Sequence, residues 1–85
     1  MYWDVIELKL VKKECTLWVR FADNTNGHVQ LTPSFLTGVF EPLREPDFFS
    51  QAFLLDGAVA WPREIDLAPD AMYHEIKKNG CWILT

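Results

Sequence analysis

Proline marks where the segments of this chain start and stop, and its placement constrains the fold more than any other feature. All five prolines fall between residues 33 and 69. Pro42 and Pro46 prevent a long helix across the middle of the chain, because proline lacks the backbone N–H that a helix interior uses. Pro62 ends an apolar run, and Pro69 suits the first turn of a helix. The pattern predicts short elements in the middle and one regular helix near the end of the sequence.

Residues 3–10 alternate between apolar and polar side chains, which is typical of a half-buried strand. We expect Ile6, Leu8 and Leu10 to face inward and Trp3 to lie on the other face. The charged residues 12–14 should end this strand.

Residues 15–22 repeat the pattern, with Leu17, Val19 and Phe21 facing inward and Trp18 facing outward. Residues 23–27 form a turn cluster of Asp, Asn, Thr and Gly, which leads into a third apolar run at residues 28–31. The three runs predict an antiparallel three-stranded meander.

Two short helices are expected in the middle third. Thr32 and Pro33 are typical of a helix start, and Gly38 of a helix end. Pro46 could open a second short helix that turns Phe48 or Phe49 inward.

A second β-hairpin is predicted at residues 52–61. Asp56 and Gly57 separate two apolar runs, and this dipeptide favours a two-residue type I′ turn. Whether this hairpin joins the meander in one sheet or forms a second small sheet stays open.

The last helix should begin at Pro69 and end at Gly80, with Met72 and Ile76 on its buried face. The fold class is therefore α+β: a three-stranded antiparallel meander, a second β-hairpin, short helices between them and a C-terminal helix. We assign residues 1–80 to a single α+β domain and residues 81–85 to an apolar C-terminal tail. This tail is too apolar to remain unpaired in water, so it should pack or pair.

Composition limits the classes of function. A net charge of −4 opposes binding to phosphate backbones, so we expect no direct nucleic-acid binding. The sequence contains no apolar run of membrane-spanning length and no signal peptide, which predicts a cytoplasmic protein and no membrane partner.

Catalytic chemistry is not indicated. Cys15 and Cys81 are far apart and are expected to be reduced thiols. Ser34 and Ser50 lack the glycine-flanked elbow of a hydrolase nucleophile. The sequence therefore predicts no catalytic residues, no metal site and no cofactor, and we expect that the protein is not an enzyme.

Several segments together resemble a small bacterial family, domain of unknown function 2442 (DUF2442). The matching segments are residues 3–6, 17–23, 38–43, 59–62 and 66–70, and the resemblance covers about residues 1–78. It implies a cytoplasmic α+β domain without an established activity. Some relatives carry an added helix-turn-helix domain, for which this sequence has no room. Many are encoded beside other small proteins, which suggests antitoxin-like or regulatory pairing.

The preferred hypothesis is a protein-interaction module that pairs with itself or with another small protein. Its apolar contacts would come from the tail and from the strand face opposite the core. The candidate partner-binding residues are Trp3, Trp18, Arg20, Trp82, Ile83 and Leu84. For the two strand tryptophans, coverage by the last helix is the alternative reading.

The rival hypothesis is a small ligand-binding or enzymatic domain. Its acidic pocket would lie between the second hairpin and the last helix. The candidate pocket residues are Arg44, Trp61, Asp66, Asp70, Tyr73 and His74. A third possibility is that the acidic chain imitates nucleic acid in the basic groove of a toxin.

Overall fold

The computed structural model describes residues 1–11 and 15–85, so the predicted end of the first strand at residues 12–14 lies outside the described residues. The strands are β1 (Val5–Leu10), β2 (Thr16–Phe21), β3 (Asn26–Leu31), β4 (Phe53–Leu55), β5 (Ala58–Trp61), β6 (Ile65–Asp66) and β7 (Cys81–Leu84). The helices are a 3₁₀ helix (Gly38–Arg44), α1 (Pro46–Phe49) and α2 (Pro69–Asn79). The predicted α+β class is confirmed.

Two sheets form. The larger sheet has the order β1-β2-β3-β7, and the smaller one has the order β4-β5-β6. The first three strands of the larger sheet are the predicted antiparallel meander. Its core face is confirmed for β2, because Leu17, Val19 and Phe21 are fully buried.

The inward face predicted for β1 is wrong at its start. Val5 is buried, whereas Ile6 is 48% exposed. Leu8 and Leu10 keep the predicted core side, opposite Val19 and Leu17, although Leu10 at the strand end is 49% exposed. The pairing of β1 with β2 is irregular between Val5 and Glu7, so Ile6 is the extra residue of a β-bulge. The bulge reverses the side to which the preceding residues point. Val5 therefore takes the core position that the alternation assigned to Ile6.

The helix predicted from Thr32 to Gly38 does not form; a turn occupies these residues. The Arg44 guanidinium binds across this turn. Its Nε donates to the carbonyl oxygen of Leu36 at 2.7 Å, and a terminal nitrogen donates to that of Pro33 at 2.8 Å. The Pro33 carbonyl oxygen also accepts the Leu36 backbone N–H at 3.2 Å, so Arg44 adds to a locally closed turn.

A 3₁₀ helix instead begins at Gly38, where a helix end was predicted, and it contains Pro42. The fixed φ of proline is compatible with 3₁₀ geometry, so Pro42 does not break it. The short helix α1 forms as predicted, and of its two aromatic residues Phe49 is the buried one.

The second hairpin is confirmed as β4 and β5, in a sheet separate from the meander. Asp56 and Gly57 have φ values of 51° and 81°, and a type I′ turn requires positive φ at both positions. β6 adds a short third strand that the sequence pattern did not predict.

Helix α2 begins at Pro69, and Gly80 ends it in the left-handed conformation, as predicted. Met72 and Ile76 are buried in the shared core. The helix packs against β3 and β7, on the same side of the larger sheet as Val19.

The tail does not extend from the domain but forms β7, parallel to β3. Leu84 is buried, and its carbonyl oxygen accepts the backbone N–H of Thr32 at 3.0 Å. The expectation that this segment packs or pairs is confirmed. Residues 81–84 are thus part of the larger sheet. Among the described residues, no helix is long and apolar enough to cross a membrane.

Candidate functional site

The side of the larger sheet that faces away from α2 presents an aromatic and several charged side chains. Trp18 and Arg20 alternate along β2 with the buried Leu17, Val19 and Phe21, so they point away from the core. The strand registers place residues of all four strands on this side. We call this surface the outer face; its residues are Glu7, Lys9, Thr16, Trp18, Arg20, Asn26, His28, Gln30, Cys81 and Ile83.

Trp18 lies on one of the two central strands, with Lys9 opposite it on β1 and His28 opposite it on β3. The Lys9 ammonium lies 5.1 Å from the centroid of the indole ring, within cation–π range. Trp18 is half-buried, and both Lys9 and His28 are exposed. The alternative that the last helix covers Trp18 is therefore wrong, because α2 packs on the opposite side of the sheet.

An ion-pair cluster lies beside the indole. The Arg20 Nε donates to Oε1 of Glu7 at 2.9 Å, and the Lys9 Nζ lies 3.5 Å from Oε2 of the same carboxylate. The hydrogen bond from Arg20 is the main reason that the pKa of Glu7 lies below its usual value. The outer face thus carries two cationic side chains and one anionic side chain, although the whole chain has a net charge of −4.

Three of the six predicted partner-binding residues share the outer face: Trp18, Arg20 and Ile83. The other three lie on the core side. Trp3 and Trp82 pack against the buried cluster, and Leu84 belongs to it. The prediction that Trp3 lies on the face opposite the core was wrong, because the sequence pattern did not reveal the bulge at Ile6.

The six residues predicted for an alternative pocket are spread over separate places. Trp61 is 1% exposed, and its Nε1 donates to the carbonyl oxygen of Phe49 at 2.9 Å, so it is a core residue. Arg44 holds the turn at residues 33–36. Asp66 lies with Trp61 at a depression whose lining includes neither Arg44 nor a residue of α2.

The remaining pocket candidates lie on α2. Asp70 and His74 are exposed, and no hydrogen bond or ion pair joins them, although both are described. Tyr73 is buried and makes a contact that the sequence did not predict. Its hydroxyl donates a hydrogen bond to the Asp23 carboxylate, 50 positions away in the turn between β2 and β3. A local sequence pattern gives no signal for a pair so far apart.

This hydrogen bond, followed by that from the Thr25 backbone N–H, lowers the pKa of Asp23 from 3.8 to about 2. The same contact with Asp23 raises the pKa of Tyr73 above its ordinary value of 10.0. Asp23 and Tyr73 thus join the meander to α2.

No group of three or more His, Cys, Asp or Glu side chains that could hold a metal ion occurs within residues 1–11 and 15–85. The arrangement of the outer face suits contact with another macromolecule, because an indole, two cations and exposed polar groups lie on one side of the sheet.

Comparison with known proteins identifies a family. The model of a family described as a protein of unknown function, DUF2442, matches residues 5–78. No curated protein and no solved structure matches the chain. Because the family match spans most of the 85 residues and includes the meander, the second hairpin and nearly all of α2, the chain belongs to the DUF2442 family.

Proposed function

We propose that this chain is a non-enzymatic protein-interaction module that binds another small protein through its outer face. The observation that carries the proposal is Trp18, a half-buried indole on a central strand of a sheet face that α2 does not cover. Tryptophan and arginine are the side chains most enriched among residues that dominate binding energy at protein interfaces. Trp18 and Arg20 lie two positions apart on β2 and point to the same side.

The charges of the outer face favour a partner that presents acidic side chains. Lys9 and Arg20 share the single carboxylate of Glu7, so a partner carboxylate could pair with either cation. Complementary charge steers encounter and selects among partners. An antitoxin-like or regulatory pairing with the product of a neighbouring gene, in the cytoplasm of a bacterium, fits this chemistry. The module needs no cofactor, and its acidic chain opposes binding to nucleic acid.

The test compares two charge reversals. Lys9→Glu changes the outer face, and Lys77→Glu makes the same change at the exposed end of α2. A partner captured from the native host is identified, purified and titrated against each variant and against Trp18→Ala by calorimetry. We expect Lys9→Glu and Trp18→Ala each to weaken binding about tenfold or more, and Lys77→Glu to leave it nearly unchanged.

Equal losses for Lys9→Glu and Lys77→Glu would show a general effect of net charge rather than a site. Unchanged binding by Trp18→Ala, with its circular dichroism spectrum preserved, would contradict the outer face as the binding surface. A partner whose contact surface is basic would contradict the predicted chemistry.

A further inference from the structure

We propose that two copies of this chain form a homodimer through β7, whose open edge pairs antiparallel with β7 of the second copy. Ile83 of one copy would then lie opposite Ile83 of the second copy, on the two-fold axis. This surface is separate from the centre of the outer face, and the inference does not depend on the proposed function.

The two edges of the larger sheet differ. β1 is covered, because the chain from Phe49 to Gly57 runs beside it. Phe49 lines a cavity together with Leu10 at one end of β1, and the Val5 backbone N–H donates to the carbonyl oxygen of Gly57 at 2.8 Å at the other end. In the part of the chain that the structure describes, β7 pairs with β3 alone.

The backbone direction shows which groups of β7 are available. The Leu84 carbonyl oxygen accepts the Thr32 N–H, so the backbone groups of Leu84 point toward β3. Successive residues of a strand point their N–H and C=O groups to opposite edges. Those of Trp82 therefore also point toward β3, whereas those of Cys81 and Ile83 point to the open edge.

The open edge of β7 lacks the charged side chains that prevent edge strands from pairing with another chain. Natural edge strands carry Lys or other charged side chains that prevent pairing with another chain. β7 has none, and neither has its neighbour β3, whereas β1 contains Glu7 and Lys9. A two-fold axis brings equivalent residues close together, and like charges directly opposite each other are destabilising. An uncharged edge is therefore suited to pairing with its own copy.

The register follows from the exposed apolar side chain. Ile83 is 54% exposed and its backbone groups face the open edge, so it suits the hydrogen-bonded position on the axis. Cys81 then lies opposite Thr85 of the second copy, and Trp82 lies opposite Leu84 of the second copy. The two four-stranded sheets become one continuous sheet of eight strands with both outer faces on the same side.

The test uses opposite charges at one position. Ile83→Lys and Ile83→Glu each place like charges at the axis of their own homodimer, whereas a mixture of the two variants places opposite charges there. The control is Ile6→Lys, since Ile6 is exposed to a similar extent but lies on β1. The mass of each sample is measured by sedimentation velocity, and its fold by circular dichroism.

We expect wild type and Ile6→Lys to have twice the mass of one chain. Each Ile83 variant alone should have the mass of one chain with an unchanged spectrum, and an equimolar mixture should recover the doubled mass. Trp18→Ala should remain dimeric, which separates this inference from the proposed function. A monomeric wild type at high micromolar concentration, or a dimeric Ile83→Lys, would overturn the pairing. A mixture that stays monomeric would overturn the placement of Ile83 on the axis.

Discussion

The hydroxyl of Tyr73 donates a 2.5 Å hydrogen bond to Oδ2 of Asp23 and so joins helix α2 to the turn between β2 and β3. Oδ1 of the same carboxylate accepts the Thr25 backbone N–H at 3.0 Å, which fixes the turn itself. The Tyr73 ring packs edge-on against Phe21 and Tyr2, with centroid distances of 5.2 and 5.1 Å. One aspartate therefore stabilises both a local turn and the contact between helix and sheet.

Removing the Tyr73 hydroxyl should change the pKa of the Asp23 carboxylate, because the hydrogen bond between them is lost. We expect Tyr73→Phe to raise the pKa of Asp23 from about 2 toward its ordinary value of 3.8, because the hydrogen bond from Tyr73 is the largest cause of the shift. The aromatic packing is retained, so the fold should persist with a lower melting temperature. A carboxyl carbon titration by NMR measures the pKa. Tyr2→Phe is the control, and an equal change in that variant would contradict the assignment.

The same pair predicts how stability depends on pH. The folded-state pKa of Asp23 lies below its unfolded value, so the stability that Asp23 contributes is complete above pH 3.8 and is lost as the pH falls to about 2. The pKa of Tyr73 is raised, so its contribution is present below pH 10.0 and is lost as the pH rises through the folded-state value.

Asp23→Asn provides the comparison. Urea unfolding of wild type and variant across the pH range gives the difference in free energy of unfolding. This difference should be constant near neutral pH and should shrink at both ends. Carboxylates other than Asp23 titrate in both proteins, so their effect cancels in this difference. A difference that does not change between pH 4 and pH 2 would therefore contradict the prediction.

Elements specified by nearby residues could be predicted from the sequence. Asp56 and Gly57 specify their own turn, and Pro69 and Gly80 delimit α2, because each acts through its own backbone conformation. The turn after Thr32 was not predicted, and the Arg44 guanidinium that binds two of its carbonyl oxygens comes from 8 and 11 positions away, where a local pattern gives no signal. The bulge at Ile6 was also hidden, because Val5 and Ile6 are both apolar and either could fill the core position.

The candidate site was also predictable only in part, because contacts between residues distant in the sequence leave no local pattern. Trp18 was assigned to the outward face from the alternation of β2 alone. Trp82 and Leu84 were predicted to be contact residues because they are apolar. Their apolar character does not reveal that they belong to a strand that pairs with β3. This pairing joins distant parts of the sequence: Thr32 and Leu84, which are hydrogen-bonded, are 52 positions apart. Long-range pairing therefore decided which apolar residues are available at the surface.

A methyl group at Gly27 should push α2 away from β3. An added Cβ would lie 2.5 Å from the carbonyl oxygen of Gly80 and 2.7 Å from Cγ2 of Ile76, and the first of these is backbone. We expect Gly27→Ala to lower the free energy of unfolding by about 2 kcal/mol, the usual cost of overpacking. Urea denaturation measures it.

Gly80→Ala is the matched control for that experiment. Gly80 has a φ of +80°, but apart from its own chain neighbours no residue comes within 4 Å of an added Cβ. Its cost is that of the left-handed conformation alone, about 1 kcal/mol. A smaller loss for Gly27→Ala than for Gly80→Ala would mean that the helix and the strand do not approach so closely.

Trp61 should contribute far more to stability than Trp18, although both are strand tryptophans. The Trp61 indole is 1% exposed, and its Nε1 donates to the carbonyl oxygen of Phe49. Trp61→Phe removes the shorter of the two hydrogen bonds to the Phe49 carbonyl oxygen, which keeps only the Ala52 N–H at 3.3 Å, and it opens a cavity. We therefore expect a loss of about 2 kcal/mol in the free energy of unfolding. Trp18→Phe changes a half-buried residue on the outer face and should cost less than about 1 kcal/mol. Chemical denaturation of both variants, followed by circular dichroism because the fluorescent residue itself is changed, distinguishes the two. Equal losses would mean that the outer face is as tightly packed as the core, and this would remove the basis for treating Trp18 as a residue available to a partner.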